Sequence, residues 1–421
     1  MNYDTIVIGG GASGMFAANI AAKGGKKVLL IEKNKLLGAK LKISGGGRCN
    51  ILNAEMDEQK LLSNYAQAAK YLHSPFAKFG VPETIKYFSG IGIEIKIEDR
   101  KRAFPKSEKA IDVFKALESE LIKNNVEIKV SSTVEKIIAR NGKVDGIKLF
   151  YDTNIYTAKK YILSTGGYSH PETGSTGDGF NFLKEHKIKI DEATPSLVPI
   201  SVKENWVKSL SGKTIENLKL TFLVDNTKRK IIKGNSESKN RILFTHFGLS
   251  GPTILNNSKL IADLLHEGPV TLSMDLFAEK NEKELDDFLL SIFDKNKNKI
   301  LKNILNEIYS GNILEEIFLD KESPLNHIDI NREVNDIKKD ERKMIGKVLK
   351  SLTVTVESLM GFDKAIIADG GVDIDEVNFE NMSVKKISNL HITGDMLNIS
   401  RPSGGYSLQL CWTSGFVAGN D

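Results

Sequence analysis

The stretch YDTIVIGGGASGMFAANIAAK, residues 3 to 23, restricts the fold of this chain more than any other. Residues 3 to 9 form a β-branched run without polar alternation, the composition of a strand buried on both faces. Gly9, Gly11 and Gly14 follow at GxGxxG spacing and lead into an alanine-rich helical run that ends in glycine. KVLLIEK, residues 27 to 33, is a second buried strand, so the whole makes one βαβ unit with a right-handed crossover. In such a unit Gly9 permits the tight turn, Gly11 lets the backbone approach a pyrophosphate, and Gly14 lets helix and strand pack closely. Ala12 and Ser13 open the helix, where free N–H groups and the dipole attract negative charge. Glu32 ends the second strand with Lys33 beside it, and its carboxylate suits the two hydroxyls of an adenosine ribose. The expectation is an adenine dinucleotide site rather than a glycine-rich structural turn.

At 421 residues the chain exceeds one ordinary core, and two or three domains are expected. The net charge of +5 is spread along the whole length, which argues against a nucleic-acid or membrane partner. Cys49 and Cys411 form no CxxC pair, so neither a disulfide framework nor a metal cluster is expected and a reducing compartment fits. The first residues lack the basic start of a signal peptide, and no run of about eighteen apolar residues occurs. Together these favour a cytoplasmic protein, monomer or homo-oligomer.

Buried-strand composition recurs at YILSTGG (residues 161–167), IIADGGVDI and NLHITGDML. Between them, residues 191–275 alternate apolar and polar in short β-like runs, and 276–350 carry Lys, Glu, Asn and Ile at helical spacing. The expected architecture is α/β: a discontinuous Rossmann-like domain over 1–190 and 351–421, a β-rich insert over 191–275, and a helical part over 276–350. The charge runs of the helical part read as solvated faces.

Thr165, Gly166 and Gly167 lie at one strand end, and Gly394 and Asp395 at another. With an N-terminal GxGxxG they match the three-part FAD pattern of the glutathione-reductase-like superfamily. KISGGGRCNI, RAFPKSEKAIDV, STGGYSHPETGSTGDGF, ILFTHFGLSGPTIL, ADGGVDI and GGYSLQL then appear in that order. Their succession closely resembles the BaiN/YhiN-like, or aminoacetone-oxidase-like, family of FAD-dependent oxidoreductases over essentially the entire chain. The resemblance implies a glutathione-reductase-type FAD fold split by an insert with a β-barrel-like part, non-covalent FAD, and NAD(P)H-linked redox chemistry on a small molecule. The family usually has Gly-Glu followed by Leu-Asp where this chain has Gly394-Asp395 and Leu397-Asn398.

The remaining candidates follow from that frame. Gly45, Gly46 and Gly47 read as bare backbone against FAD, approached through Lys40 and Ser44 and followed by Arg48, Cys49 and Asn50 facing the flavin or its pyrophosphate. Cys49 lacks a CxxC partner, which removes a disulfide relay and leaves it lining the cofactor. Gly404, Gly405, Tyr406 and Leu408 open the last helix, whose N-terminus is expected to face the flavin pyrimidine edge. Val134 is expected beside adenine. His246 is a candidate proton donor, with a structural alternative, and Arg48 and Arg401 are each candidates for an acidic or carbonyl substrate group, or else for the pyrophosphate and a carboxylate. The expected reaction is flavin reduction by NAD(P)H and hydride transfer to an unsaturated or carbonyl-conjugated small molecule. An O2-using amine oxidase and a non-catalytic flavin sensor are the rivals.

Overall fold

The computed structural model describes residues 2–225, 228–232 and 240–421. The chain divides into two compact units, one formed by Met1–Ser196 with Gly361–Asp421 and the other by Leu197–Met360.

The first unit is built on a parallel sheet. Strand β1 (Asn2–Ile8) pairs in parallel with β2 (Val28–Ile31) on one side and with strand Ile155–Leu163 on the other. Strands Glu127–Lys129 and Ile387–Ile392 extend the parallel order at either edge. Ile8 therefore lies level with Ile31 and Leu163, and Leu163 with Ile392, so the loops leaving four strands emerge at one edge of the sheet. Every residue of β2 is buried, which explains an apolar run without alternation. The hairpin joining Val134–Arg140 to Lys143–Leu149 turns at Asn141 and Gly142, both with positive φ (49° and 72°), as the sequence Asn-Gly requires.

Helix α1 (Ala12–Lys23) covers this sheet and packs against the C-terminal helix Tyr406–Asn420. Trp412 on that helix is fully buried among Phe16, Phe88 and their aromatic neighbours, and its Nε1 donates to the Ile51 carbonyl at 2.9 Å. The last helix is thereby tied to both α1 and the chain that follows Cys49.

The second unit carries an antiparallel sheet of eight described strands. Its hydrogen-bonded path runs from Thr214–Glu216 through Arg241–Thr245, Gly248–Ser250, Ile200–Val202, Leu352–Leu359, Val270–Asp275 and Lys219–Val224 to Lys228–Ile232. Helices Glu282–Lys295, Leu301–Ile308, Ile313–Leu319 and Lys339–Lys350 share one hydrophobic core with it, joining Leu289, Ile304 and Leu349 to Phe222, Leu272 and Val354.

Three sequence expectations change here. The β-rich and helical stretches form one unit, because a sheet and helices each with one apolar face bury those faces together. Its boundaries fall at 196/197 and 360/361: strand Leu352–Leu359 belongs to the insert, whereas Ile190–Ser196 pairs with Ile367–Val372 in the first unit. The insert sheet is an open path among the described residues rather than a closed barrel. Among the described residues no helix is long and apolar enough to cross a membrane.

The contact between α1 and the C-terminal helix leaves no room for a side chain at Gly415, where a Cβ would lie 2.8 Å from the Ser13 carbonyl oxygen. Gly415→Ala is expected to cost about 1–3 kcal/mol through overpacking. A thermal melt should register this as a lowered Tm, and an unchanged melt would show that the two helices have room to spare.

Candidate functional site

The glycine turn after β1 places each glycine under a different constraint. Gly9 has φ +103°, and a Cβ there would lie 2.5 Å from the Ser164 carbonyl oxygen. Gly14 is tighter, since its Cβ would sit 1.9 Å from the Gly9 carbonyl oxygen. Gly11 has ordinary extended dihedrals (φ −78°, ψ −170°) and open space where its Cβ would be. Its bareness thus serves what approaches from outside rather than the fold. Gly11 caps α1 without any side-chain hydrogen bond, so the N-terminal amides of Ala12 and Ser13 are offered to an anion.

Glu32 completes this end. Its Oε2 accepts from the Gly10 N–H at 2.7 Å and its Oε1 from the Asn34 N–H at 2.8 Å. These bonds hold the carboxylate beside the turn, and each oxygen keeps further acceptor capacity for a ribose hydroxyl. The adjoining pocket is lined by Glu32, Ser132, Thr133, Val134, Asp178 and Phe182 among others. Lys33 crosses to the segment that follows Gly174, pairing with Asp178 at 2.6 Å and Thr176 Oγ1 at 2.5 Å. Asp178 is the first residue of helix Asp178–Glu185, which Gly177 caps.

In the loop after α2 (Ala39–Ile43), Gly45, Gly46 and Gly47 have φ of +58°, +67° and +85°, and Cys49 follows at +61°. Three left-handed residues in succession account for three glycines. Gly45 is also crowded, its Cβ falling 2.8 Å from the Asn50 amide nitrogen, whereas Gly46 and Gly47 face open space. The Ser44 carbonyl accepts from the Cys49 N–H at 2.9 Å. Cys49 is completely buried, and burial pushes its thiol up to about 12, so it is not a nucleophile at neutral pH. The Asn50 amide, oriented to match its neighbours, donates to the Ala103 and Leu52 carbonyls and accepts from the Gly405 N–H at 3.0 Å.

Arg48 has a different task from the expected one. Its guanidinium lies over the Phe104 ring at 4.1 Å and pairs with Glu98 at 2.7 Å and Glu108 at 3.0 Å. Two carboxylates and an aromatic face occupy a group expected at the flavin or a substrate, and Glu98 holds the guanidinium above its usual pKa range. Arg48 therefore braces the glycine loop against strands Ile95–Glu98 and Arg102–Pro105.

The other strand ends bring together Lys40, Thr165, Gly166, Gly167, Gly394 and Asp395. Gly394 has φ +63°, and a Cβ on it would meet Ser13 Oγ at 2.8 Å. A Cβ on Gly167 would lie 3.1 Å from the Asp395 carbonyl oxygen. Asp395 is gripped by Arg401, a buried guanidinium that also bonds Ser407 Oγ (3.0 Å) and the Ile399 carbonyl (2.6 Å). Lys40 Nζ donates to Ser169 Oγ at 3.0 Å and stands 3.9 Å from the free Asp395 oxygen. Burial holds this ammonium below the usual lysine range, with Asp395 opposing the shift. Arg401 thus takes the carboxylate rather than the substrate alternative.

Gly404 and Gly405 have φ of +121° and +103°, and a Cβ on Gly405 would lie 2.3 Å from the Leu52 carbonyl carbon. Asn53 Nδ2 donates to the Gly404 carbonyl and Tyr65 Oη to the Tyr406 carbonyl, fixing the start of the last helix, on which Leu408 is half-buried. Asn398 donates to Asp191 at 2.7 Å and accepts from the Gly370 N–H at 3.1 Å. An aspartate at 398 would set two carboxylates against each other, a physical reason for the amide here. His246 belongs to the other unit, exposed and edge-on to Phe247 with ring centroids 4.9 Å apart. Sequence reasoning missed Ser132, Thr133, Phe182, Ser169, Asn53 and Tyr65. Only Phe182, at helical spacing in DGFNFLKE, carried a periodic signal.

The cradle fits an FAD. Bare backbone with open space at Gly11, a ribose-suited carboxylate at Glu32 and a pinned carboxylate at Asp395 lie along the edge where the strands end, and Gly46 and Gly47 add further bare backbone facing open space. Over residues 3–421 the sequence matches the family model described as HI0933-like protein Rossmann domain. A 3-dehydro-bile acid delta(4,6)-reductase of Clostridium scindens is 27% identical over 416 residues, covering 98% of this chain and 97% of that protein. A ribosomal RNA dihydrouridine synthase of Escherichia coli is 25% identical over 419 residues, covering 100% and 98%. Among solved structures, the 3-ketosteroid-delta4-(5alpha)-dehydrogenase of Rhodococcus jostii RHA1 superposes with a TM-score of 0.55 at 14% identity, covering 100% of this chain and 96% of that one. At that identity the likeness speaks to the fold alone.

Gly11→Ala separates folding from cofactor binding, since the added methyl meets no protein atom within 4 Å. The apoprotein should melt unchanged while FAD affinity falls at least about tenfold, because only the pyrophosphate needs that space. Equal FAD affinity by fluorescence titration would refute this use of the turn. Cys49→Ser should retain FAD and most turnover.

Proposed function

The chain belongs to the HI0933-like family and is an FAD-dependent oxidoreductase, and we propose that it reduces a carbon–carbon double bond conjugated to a carbonyl in a small molecule. One observation carries the reading. Two relatives matched over nearly their whole lengths are named for the same change of bond: a delta(4,6) unsaturation beside a 3-dehydro group, and the uracil double bond lost in dihydrouridine.

When bound, FAD supplies the two-electron hydride chemistry. The chain's own residues orient the cofactor and tune its charge. The amides at the start of α1 and the bare backbone of Gly11 would receive the pyrophosphate, Glu32 the ribose hydroxyls, and Val134 the adenine edge. Asp395, pinned by Arg401, presents one carboxylate oxygen for a ribitol hydroxyl, while Lys40 offsets the negative charge gathered there. The N-terminus of the last helix, at Gly405 to Leu408, favours negative charge on a reduced flavin ring. The Cys49 thiol stays protonated and out of the reaction. A nicotinamide is the proposed electron donor, binding transiently because the sequence holds no second GxGxxG in a βαβ setting.

The ribosomal RNA relatives favour a second reading, in which the same bond is reduced in a uridine of RNA. The stretch KRKIIKGNSESKNR, residues 228–241, has the composition for phosphate contact, although much of it lies outside the described residues.

Anaerobic mixing tests both readings. NADH or NADPH should bleach the flavin absorbance within seconds, and bleaching by neither would sink the nicotinamide-linked reading. The reduced protein should then be reoxidised by 4-androstene-3,17-dione. Reoxidation by a uridine-containing oligonucleotide alone would transfer the function to RNA.

A further inference from the structure

Between strand Ile155–Leu163 and helix Asp178–Glu185, residues 168–177 leave the sheet edge and come back to meet their own start. Tyr168 stacks on Phe180 with ring centroids 5.4 Å apart, and a Cβ on Gly177 would lie 2.3 Å from the Tyr168 ring. Loops whose ends lie together form compact surface units. The His170 N–H donates to the Phe362 carbonyl at 2.8 Å and anchors one end. Beyond that anchor the bonds are internal. The His170 carbonyl accepts from the Thr173 N–H (2.9 Å) and hydroxyl (2.7 Å), and the Pro171 carbonyl from the Gly174 N–H (2.9 Å). Among residues 170–176 Ser175 alone is buried, so almost no apolar surface holds the loop down.

What does hold it is polar and comes from the end of β2. Lys33 Nζ donates to Asp178 Oδ2 (2.6 Å) and Thr176 Oγ1 (2.5 Å), and Thr176 Oγ1 donates to Asp178 Oδ1 (2.9 Å). Asn34 Nδ2 donates to the Thr173 carbonyl at 2.9 Å, and a Cβ on Gly174 would lie only 2.6 Å from the same nitrogen. The side chains of Lys33 and Asp178 are 27% and 37% accessible, and ion pairs this exposed are weak. A segment with few buried apolar contacts and solvent-exposed bonds is among the first to open.

The position of the loop gives that opening a consequence. Gly174 and Asp178 line the same pocket as Glu32, Thr165 and Val134. Ser175 Oγ comes within 2.9 Å of where a Cβ on Gly166 would be. The loop therefore runs from the end of β2 to the end of strand Ile155–Leu163, with β1 between them, and forms part of the wall around the ribose-suited carboxylate.

We propose that residues 171–177 are a strap over the adenosine end of FAD, latched to β2 by Lys33 and Asn34, whose opening sets how fast the cofactor enters and leaves. The inference rests on the FAD cradle and is independent of the substrate read for it. Unlatching breaks the bonds to Lys33 and Asn34 and leaves the internal bonds of the strap in place. Such a latch acts on the barrier to exchange, so loosening it speeds both directions alike.

The test mixes apoprotein with FAD in stopped-flow fluorescence and follows release after dilution of the loaded protein. T176V and N34A are the variants, since the side chains of Thr176 and Asn34 lie outside the pocket lining and each removes a bond of the latch. Each should raise the FAD association and dissociation rates together, about fivefold, with Kd within about twofold of wild type and an unchanged apoprotein Tm. Wild-type rates in both variants overturn the strap. Faster dissociation with unchanged association also overturns it, because that pattern belongs to a lost cofactor contact. If the wild-type apoprotein binds no FAD, the cradle itself fails and the strap with it.

Discussion

The first unit depends on the contact between Gly14, at the start of α1, and the carbonyl of Gly9, at the end of β1. No side chain fits between them, a Cβ lying 1.9 Å from that oxygen. The contact aims the helix N-terminus across the edge where β1, β2 and strands Ile155–Leu163 and Ile387–Ile392 all end. Parallel pairing makes those ends coincide, so the residues just beyond them converge without being neighbours in sequence. Glu32, Thr165 to Gly167, and Gly394 with Asp395 are all such residues. An open α/β sheet binds its ligand at this edge for that reason.

Charge at the edge is arranged by desolvation and pairing. Arg401 is buried and committed to Asp395, which leaves one carboxylate oxygen and the Lys40 ammonium facing each other across the strand ends. Burial weakens the hold of Lys40 on its proton, and the nearby Asp395 carboxylate opposes that effect. Arg48 shows the opposite outcome with the same kind of side chain. Its charge is consumed by Glu98 and Glu108, and what remains is a mechanical brace for three left-handed glycines. The Asn50 amide carries that brace on to Gly405, tying the glycine loop to the start of the last helix by a hydrogen bond.

Much of the fold was legible because its signals are local. An unalternating apolar run means burial on two faces, Asn-Gly means a tight hairpin, and GxGxxG between strand and helix means a close crossover. The errors arose where the deciding partner is remote. LTVTVESL reads as a strand wherever it belongs, and only pairing with Val270–Asp275 assigns it to the insert. Short alternating runs suit an open sheet as well as a closed barrel. Arg48 and Arg401 look equally free in the sequence, yet one meets Glu98 fifty residues on and the other Asp395 six residues back.

The sequence by itself determined the βαβ unit, the glycines that keep a cofactor's path clear, and an acidic group at the end of β2. These depend on periodicity and on the absence of a Cβ, both properties of adjacent residues. Only the tertiary structure decided which charges are spent and which remain available, and where the insert begins and ends. Those outcomes depend on distances between residues far apart in the chain, and a few ångströms separate a buried ion pair from a group left to meet a ligand.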